Sequence, residues 1–420
     1  MSLYEESDGL LSTNVTWQDV EIEMQKSLDT KARFGENKKA TNISDMKGFM
    51  SRIALIDPDW TNTEKDEVLP KRFCVKISSQ LQLTLISKVL NTEETFDDEK
   101  LKGLGHVTRE CHNREVETYK LLMKFNHPDV PYTKVYALKP FDDENDLKAF
   151  IISDFVDNIH STGMNESFRA SDLMSVVKAV ATFSGLGYSL TDKELAFCGG
   201  PEFMEMAFTE FFDDKSRLAM NKSILKAFGD DFIEQAEKMV KVNEHYANPI
   251  ILKRYTNIVK ELGLAMVLTH GDLWASNMLH TKREDGSLHL EAIIDWQGTG
   301  RCSPGLDLSR LLIGCLNTID RKQYKDEILE LYYHSFVDQL NGKPEPFTYQ
   351  ELYNAYHLYL PLMAMLVLPG VIAFKDMSQL EGEEREKMET TCMAKMKGIV
   401  EDVLVAHELN LQNYPSFVSL

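Results

Sequence analysis

Residues 268–295 concentrate the side chains able to do chemistry. The segment contains His270-Gly271-Asp272-Leu273-Trp274-Ala275-Ser276-Asn277 and, after a polar run, Ile293-Ile294-Asp295-Trp296-Gln297. Asn277 follows Asp272 by five residues, and Asp295 follows Asn277 by 18. Phosphoryl transfer from ATP asks for such groups. A carboxylate must orient or deprotonate the attacking hydroxyl, and hard oxygen ligands must hold magnesium (Mg2+) against the phosphates. Asp272 suits the first task; Asn277 and Asp295 suit the second.

The elements that would position them can be read locally. Val267-Leu268 is a short apolar run entering the polar loop. Met278-Leu279-His280 and residues 288–294 read as two strands, with Lys282-Arg283-Glu284-Asp285-Gly286-Ser287 between them. Asp-Gly between apolar runs predicts a hairpin. A hairpin returns the chain to its start, so Asp295 should end beside Asn277. His-Gly-Asp alone would be an ordinary turn; the linked carboxylate on an apolar strand is what narrows the reading.

This segment resembles the catalytic loop of the aminoglycoside-phosphotransferase and choline-kinase superfamily, His-x-Asp-x-x-x-x-Asn followed by Ile-Asp-Trp or Ile-Asp-Phe. The His-Gly-Asp-Leu-Trp form and the Asp295-Trp296-Gln297 ending resemble the ecdysteroid-kinase-like (choline-kinase-like, CHK) branch, and within it the nematode members. The resemblance covers nearly the whole chain. It implies an α+β, protein-kinase-like two-lobe fold: a small antiparallel sheet in an N-lobe, residues 1–155, and a mainly helical C-lobe, residues 156–420. It also implies ATP and magnesium as cofactors, with ATP in the cleft. His270 and Asp307 would support the catalytic loop.

The resemblance places further roles upstream. Residues 52–56 and 72–77 read as strands. Alternation along the second puts Lys76 on the face of Cys74, opposite Val75 and Ile77. Lys76 would contact phosphate, tethered by Glu115 from a helix expected over 107–125. Glu115 shares an edge with Tyr119 and Leu122, at i+4 and i+7, whereas Glu117 faces elsewhere. Gly48 and Ser51 stand where a phosphate-covering loop belongs; an ordinary turn explains them equally well. Residues 148–153 form an apolar strand leading into Asp154-Phe155-Val156, the expected hinge whose backbone reads adenine. A capped helix is predicted over 17–28, with Thr16 as cap and Asp19 three residues on.

The C-terminal half reads as helical from Ala170. Ser303-Pro304 opens a helix in which Asp307 lies in the first turn. Only residues 296–303 separate Asp295 from Pro304, which leaves no room for the long activation segment of a protein kinase. A small-molecule hydroxyl is the expected acceptor: a sterol-like alcohol, a glucosylated metabolite or an amino alcohol. The Tyr and Met residues after Pro304, including Tyr356 and Tyr359, are expected to line its pocket, and core packing explains them equally well. The alternative function is a pseudokinase that binds a nucleotide or a partner without turnover.

Composition sets outer limits. The 420 residues carry a net charge of −20, which repels nucleic acid and anionic membranes. Six cysteines form no Cys-x-x-Cys pair and read as reduced thiols. With an acidic N-terminus and no apolar leader segment, the expected location is cytoplasmic. Residues 358–374 carry no charge, but Pro361, Pro369 and Gly370 interrupt them, so a buried helix pair is expected there rather than a membrane span.

Overall fold

The computed structural model describes residues 2–44, 50–84, 98–160, 162–163, 166–202, 205, 209 and 213–419. The chain divides into two compact units, Met1–Lys124 with Tyr132–Ile159, and Phe125–Pro131 with His160–Leu420. Relative to the expected boundary at 155/156, the chain leaves the first unit at Ile159, and Phe125–Pro131 joins the second. The reason is local. Phe125 packs edge-on against Phe183, and Pro131 O accepts a hydrogen bond from Ile293 N at 2.9 Å.

The first unit is built on a five-stranded antiparallel sheet. Its spatial order is Lys39–Asn42, Ser51–Asp57, Phe73–Ser78, Phe150–Asp154, Val135–Lys139. Alternation decides which face is dry. Phe73, Val75 and Ile77 are fully buried with Ala54, Ile56 and Ile152, and the helix Trp17–Leu28 adds Val20 and Met24 to the same cluster. Each buried Val, Ile, Phe or Met side chain contributes about 1.5–3 kcal/mol relative to exposure. That helix has its expected bounds and the reciprocal cap, Thr16 N donating to Asp19 Oδ2 at 2.8 Å and Asp19 N to Thr16 Oγ1 at 3.2 Å.

The helix expected from Val107 begins at Asp98 and ends at Phe125. Gly103 and Gly105 lower helix propensity there and hid the extension. Burial of Leu101 and Leu104, each 3 % exposed, overrides that penalty.

The second unit is mainly helical. Ala170–Gly187, Pro304–Cys315, Thr318–Asp338, Tyr349–Met377 and Gly382–Asn413 are its longer elements around the site. Tyr349–Met377 corrects the expected helix pair: it is one helix of 29 residues running through Pro361 and Pro369. Proline removes an internal hydrogen bond, but this helix is enclosed by neighbours and held by packing. Among the described residues it is the one helix long and apolar enough to cross a membrane, and 72% of that apolar window is buried inside the protein. Tyr356 and Tyr359 are buried at 2 % and 0 % exposure, so these two belong to the core and do not line an open pocket. Cys74, Cys315 and Cys392 are free thiols.

His112 offers a test of the first unit. It is buried, its Nε2 lies 2.9 Å from Lys139 O, and its ring packs edge-on against Phe141. Burial pushes its pKa down from 6.5 to about 4, with the Lys76 charge acting the same way. The unfolded chain therefore binds this proton more readily. The contribution to stability is complete above pH 6.5 and is lost as pH falls toward 4, reaching roughly 3 kcal/mol. Urea denaturation at pH 7.5 and 4.5 should show a smaller acid-induced loss for His112→Gln than for wild type; equal losses would contradict the assignment.

Candidate active site

Four short strands carry the loop. Val267–Thr269 pairs antiparallel with Gly300–Cys302, and Met278–Lys282 pairs with Leu288–Ile293 across the Asp285-Gly286 turn. Gly286 has φ +79°, the left-handed conformation that favours glycine in such turns. The last ladder pair joins Met278 to Ile293, and Ile294 N donates to Asn277 O at 2.9 Å. Backbone pairing thus sets Asn277 beside the residue preceding Asp295.

Side chains then lock the loop. Asn277 is buried, and its Nδ2 donates to Asp272 O at 2.9 Å and lies 3.4 Å from Asp272 Oδ2. His270 is fully buried and bridges two segments: its Nε2 meets Ile294 O at 3.0 Å, and its Nδ1 accepts from Asp272 N at 3.2 Å. Those partners set the tautomer, with the proton on Nε2. Trp296 anchors the strand end. It is fully buried, donates Nε1–H to Ile293 O at 2.9 Å, and packs on His270 and Phe183.

Asp307 braces this assembly from the helix Pro304–Cys315, which Ser303 caps through Gly305 N. Its carboxylate accepts from His270 N at 2.7 Å and Gly271 N at 2.9 Å. Burial pushes the Asp307 carboxyl up from its usual pKa, while those N–H groups act against the shift by stabilising the anion.

Two backbone features are special. Asp295 adopts φ +64° and ψ +51°, an uncommon conformation for a non-glycine residue and one that gathers at functional sites. Gly271 has φ +81°, and a Cβ there would stand 2.0 Å from Gly298 O. The two loop segments touch backbone to backbone.

In the first unit, Lys76 Nζ lies 2.6 Å from Glu115 Oε2, their side chains 17% and 2% exposed. Asp154 is the last residue of its strand, and its Oδ1 accepts from the Tyr136 hydroxyl. Arg72 covers the Phe155 ring and pairs with Asp157 at 2.5 Å. Asp154, Tyr136, Arg72, Phe155 and Asp157 line a cavity of about 390 Å3 with Leu28 and Pro70; Val156 is half-buried beside them in sequence. Ser51 is buried as the first residue of its strand, paired with Ser78, not in a loop. Gly48 lies outside the described residues.

One site residue was missed. Arg310 forms an ion pair with Asp272 Oδ1 from the helix that carries Asp307. The available signal was its spacing, three residues after Asp307 and so on the same helix side. Among the described residues, no cluster of three or more His, Cys, Asp or Glu could hold a metal ion.

Comparisons with known proteins give the following. The DUF1679 family model, described as "Uncharacterized oxidoreductase dhs-27", matches residues 3–411. The Caenorhabditis elegans protein named "Uncharacterized oxidoreductase dhs-27" is 25% identical over 339 residues, 76% of this chain and 39% of that protein. The C. elegans "Uncharacterized kinase-like protein D1044.1" is 26% identical over 151 residues, 34% of this chain and 39% of that protein. Each match thus spans well under half of the relative's length. Among solved structures, spectinomycin phosphotransferase APH(9)-Ia, in complex with ADP and spectinomycin, aligns with a TM-score of 0.47 and 12% identity, covering 94% of this chain and 99% of that one.

The contact between Gly271 and Gly298 makes a direct prediction. Gly271→Ala adds both a strained φ and a Cβ that meets backbone oxygen. It should destabilise the second unit by about 1–3 kcal/mol, read as a lowered urea midpoint. Gly263→Ala, with φ +67° but open space around the Cβ, should cost less. Equal losses would mean that the loop contact adds nothing beyond φ strain.

Proposed function

The chain belongs to the DUF1679 family, and we propose that its chemistry is ATP- and magnesium-dependent phosphoryl transfer to the hydroxyl of a small molecule. The observation that carries this is the joining of Asp272, Asn277 and Asp295 in one hydrogen-bonded loop. Asn277 is tied to Asp272 through its side chain and to Ile294, next to Asp295, through its backbone. The motif resembles that of the ecdysteroid-kinase-like branch, and a sterol-like, glucosylated or amino alcohol is the acceptor class we infer from it.

Each residue has a task within its own unit. Asp272 orients or deprotonates the acceptor hydroxyl. Lys76, held by Glu115, pairs with ATP phosphate. Asn277 and Asp295 offer hard oxygen donors of the kind magnesium takes, and one or two protein ligands plus phosphate oxygens is a common set for that ion. Bound there, magnesium would offset phosphate charge. The backbone of Asp154-Phe155-Val156 would read adenine.

The oxidoreductase description of the family does not suit this chain's architecture. Dinucleotide-binding oxidoreductases of the Rossmann type need a parallel βαβ sheet with a glycine fingerprint. Here the five-stranded sheet is antiparallel throughout. The family's namesake protein extends well beyond the matched region.

Two variants test the reading. Asp272→Asn should lower transfer from ATP by at least about 100-fold while ATP binding persists; transfer at the wild-type rate would sink the assignment. Asp295→Ala should abolish the extra thermal stabilisation that magnesium adds to ATP binding. An equal magnesium-dependent shift in variant and wild type would move the metal site elsewhere.

A further inference from the structure

We propose that Arg310 is the positioning residue for the carboxylate of Asp272. The inference rests on the phosphotransfer reading. It concerns a residue outside the loop motif, supplied by the helix Pro304–Cys315.

The loop itself offers Asp272 no cation. Two residues after Asp272 stands Trp274, whose indole nitrogen is buried without a hydrogen-bond partner among the described residues. His270 is occupied by Ile294 O and Asp272 N. The charge comes instead from Arg310, which pairs with Asp272 Oδ1, the two side chains being 15% and 28% exposed. The Nε of Arg310 is buried with no hydrogen-bond partner among the described residues. A guanidinium this enclosed needs a nearby anion to offset its desolvation. Asp272 is that anion, with Asp307 three residues earlier on the same helix also acting on its charge.

Asp307 and Arg310 divide the work. Asp307 holds the peptide N–H groups of His270 and Gly271, which places the backbone ahead of Asp272. Arg310 holds one carboxylate oxygen, which sets the side-chain torsions. The other oxygen lies 3.4 Å from Asn277 Nδ2 and stays available to a substrate hydroxyl. Without Arg310 the loop keeps its place, but the carboxylate can rotate away from the reacting atom. Misplacement by about 1 Å is enough to lower turnover on the order of 100-fold.

The test uses the full chain and Mg·ATP with water as acceptor, so no acceptor need be known. Initial hydrolysis rates, ATP affinity by calorimetry and the thermal midpoint are measured together. Arg310→Met should lower kcat by about 100-fold and leave the ATP KM and Kd within about threefold. Arg310→Lys, which keeps the charge, should recover about tenfold of that loss. In an Asp272→Asn background, Arg310→Met should change the rate no further, because its effect acts through that carboxylate. The inference is overturned by an unchanged kcat in a wild-type enzyme that depends on Asp272. It is also overturned by an equal loss in the Asp272→Asn background, or by losses that follow the thermal midpoint across the Met and Lys variants. Absence of hydrolysis in wild type, or a wild-type rate in Asp272→Asn, would remove the phosphotransfer reading and this inference with it.

Discussion

Asp307 puts a carboxylate where only 2 % of the residue reaches solvent. Such a group is tolerated only when donors replace water. The donors are the backbone N–H groups of His270 and Gly271, so satisfying one buried anion dictates the path of the loop that presents Asp272. Gly271 can follow that path because it lacks a Cβ, and the close approach to Gly298 depends on the same freedom. The helix carrying Asp307 is located just as tightly. A Cβ on Gly305 would stand 2.3 Å from Ala355 O, so this helix sits backbone-close against Tyr349–Met377. Packing deep in the helical unit is thereby transmitted to the polar loop.

The first unit uses a related constraint at Lys76. Its strand buries Phe73, Val75 and Ile77 on one face, which forces Lys76 to the other. There it meets Glu115, itself 1% exposed, on the helix Asp98–Phe125. Removing either partner would leave a poorly solvated charge, which is far more costly than the pair is stabilising. The arrangement holds the ammonium in one position, as the phosphate role proposed for Lys76 requires. Aromatic packing plays the equivalent part at the strand that leads to Asp295. Trp296, wedged between Phe183 and His270, fixes the strand end, and Asp295 is left in a left-handed conformation just before it.

Local pattern made several of these features readable in advance. The Thr16-Asp19 cap marked the helix start at Trp17, Asp285-Gly286 marked the hairpin turn, and Ser303-Pro304 marked the next helix. Each depends on residues a few positions apart, so its physics is contained in the sequence. The helix start at Asp98 was hidden because Gly103 and Gly105 argue against a helix, and only the burial of Leu101 and Leu104 outweighs them. Pro361 and Pro369 likewise suggested breaks that surrounding packing overrides.

By itself the sequence determined which residue types could act and which local turns would bring them close. Asp272, Asn277 and Asp295 are linked by a short loop and one hairpin, and strand alternation separates Lys76 from its apolar neighbours. Tertiary structure decided the remainder. It made Tyr356 and Tyr359 core, although their composition served a pocket equally well. It also gave Asp272 its cation from a residue 38 positions away, 310 minus 272. The reason is the range of the forces: capping, turn and alternation energies act between near neighbours along the chain, whereas burial and charge pairing depend on which distant segments are packed together.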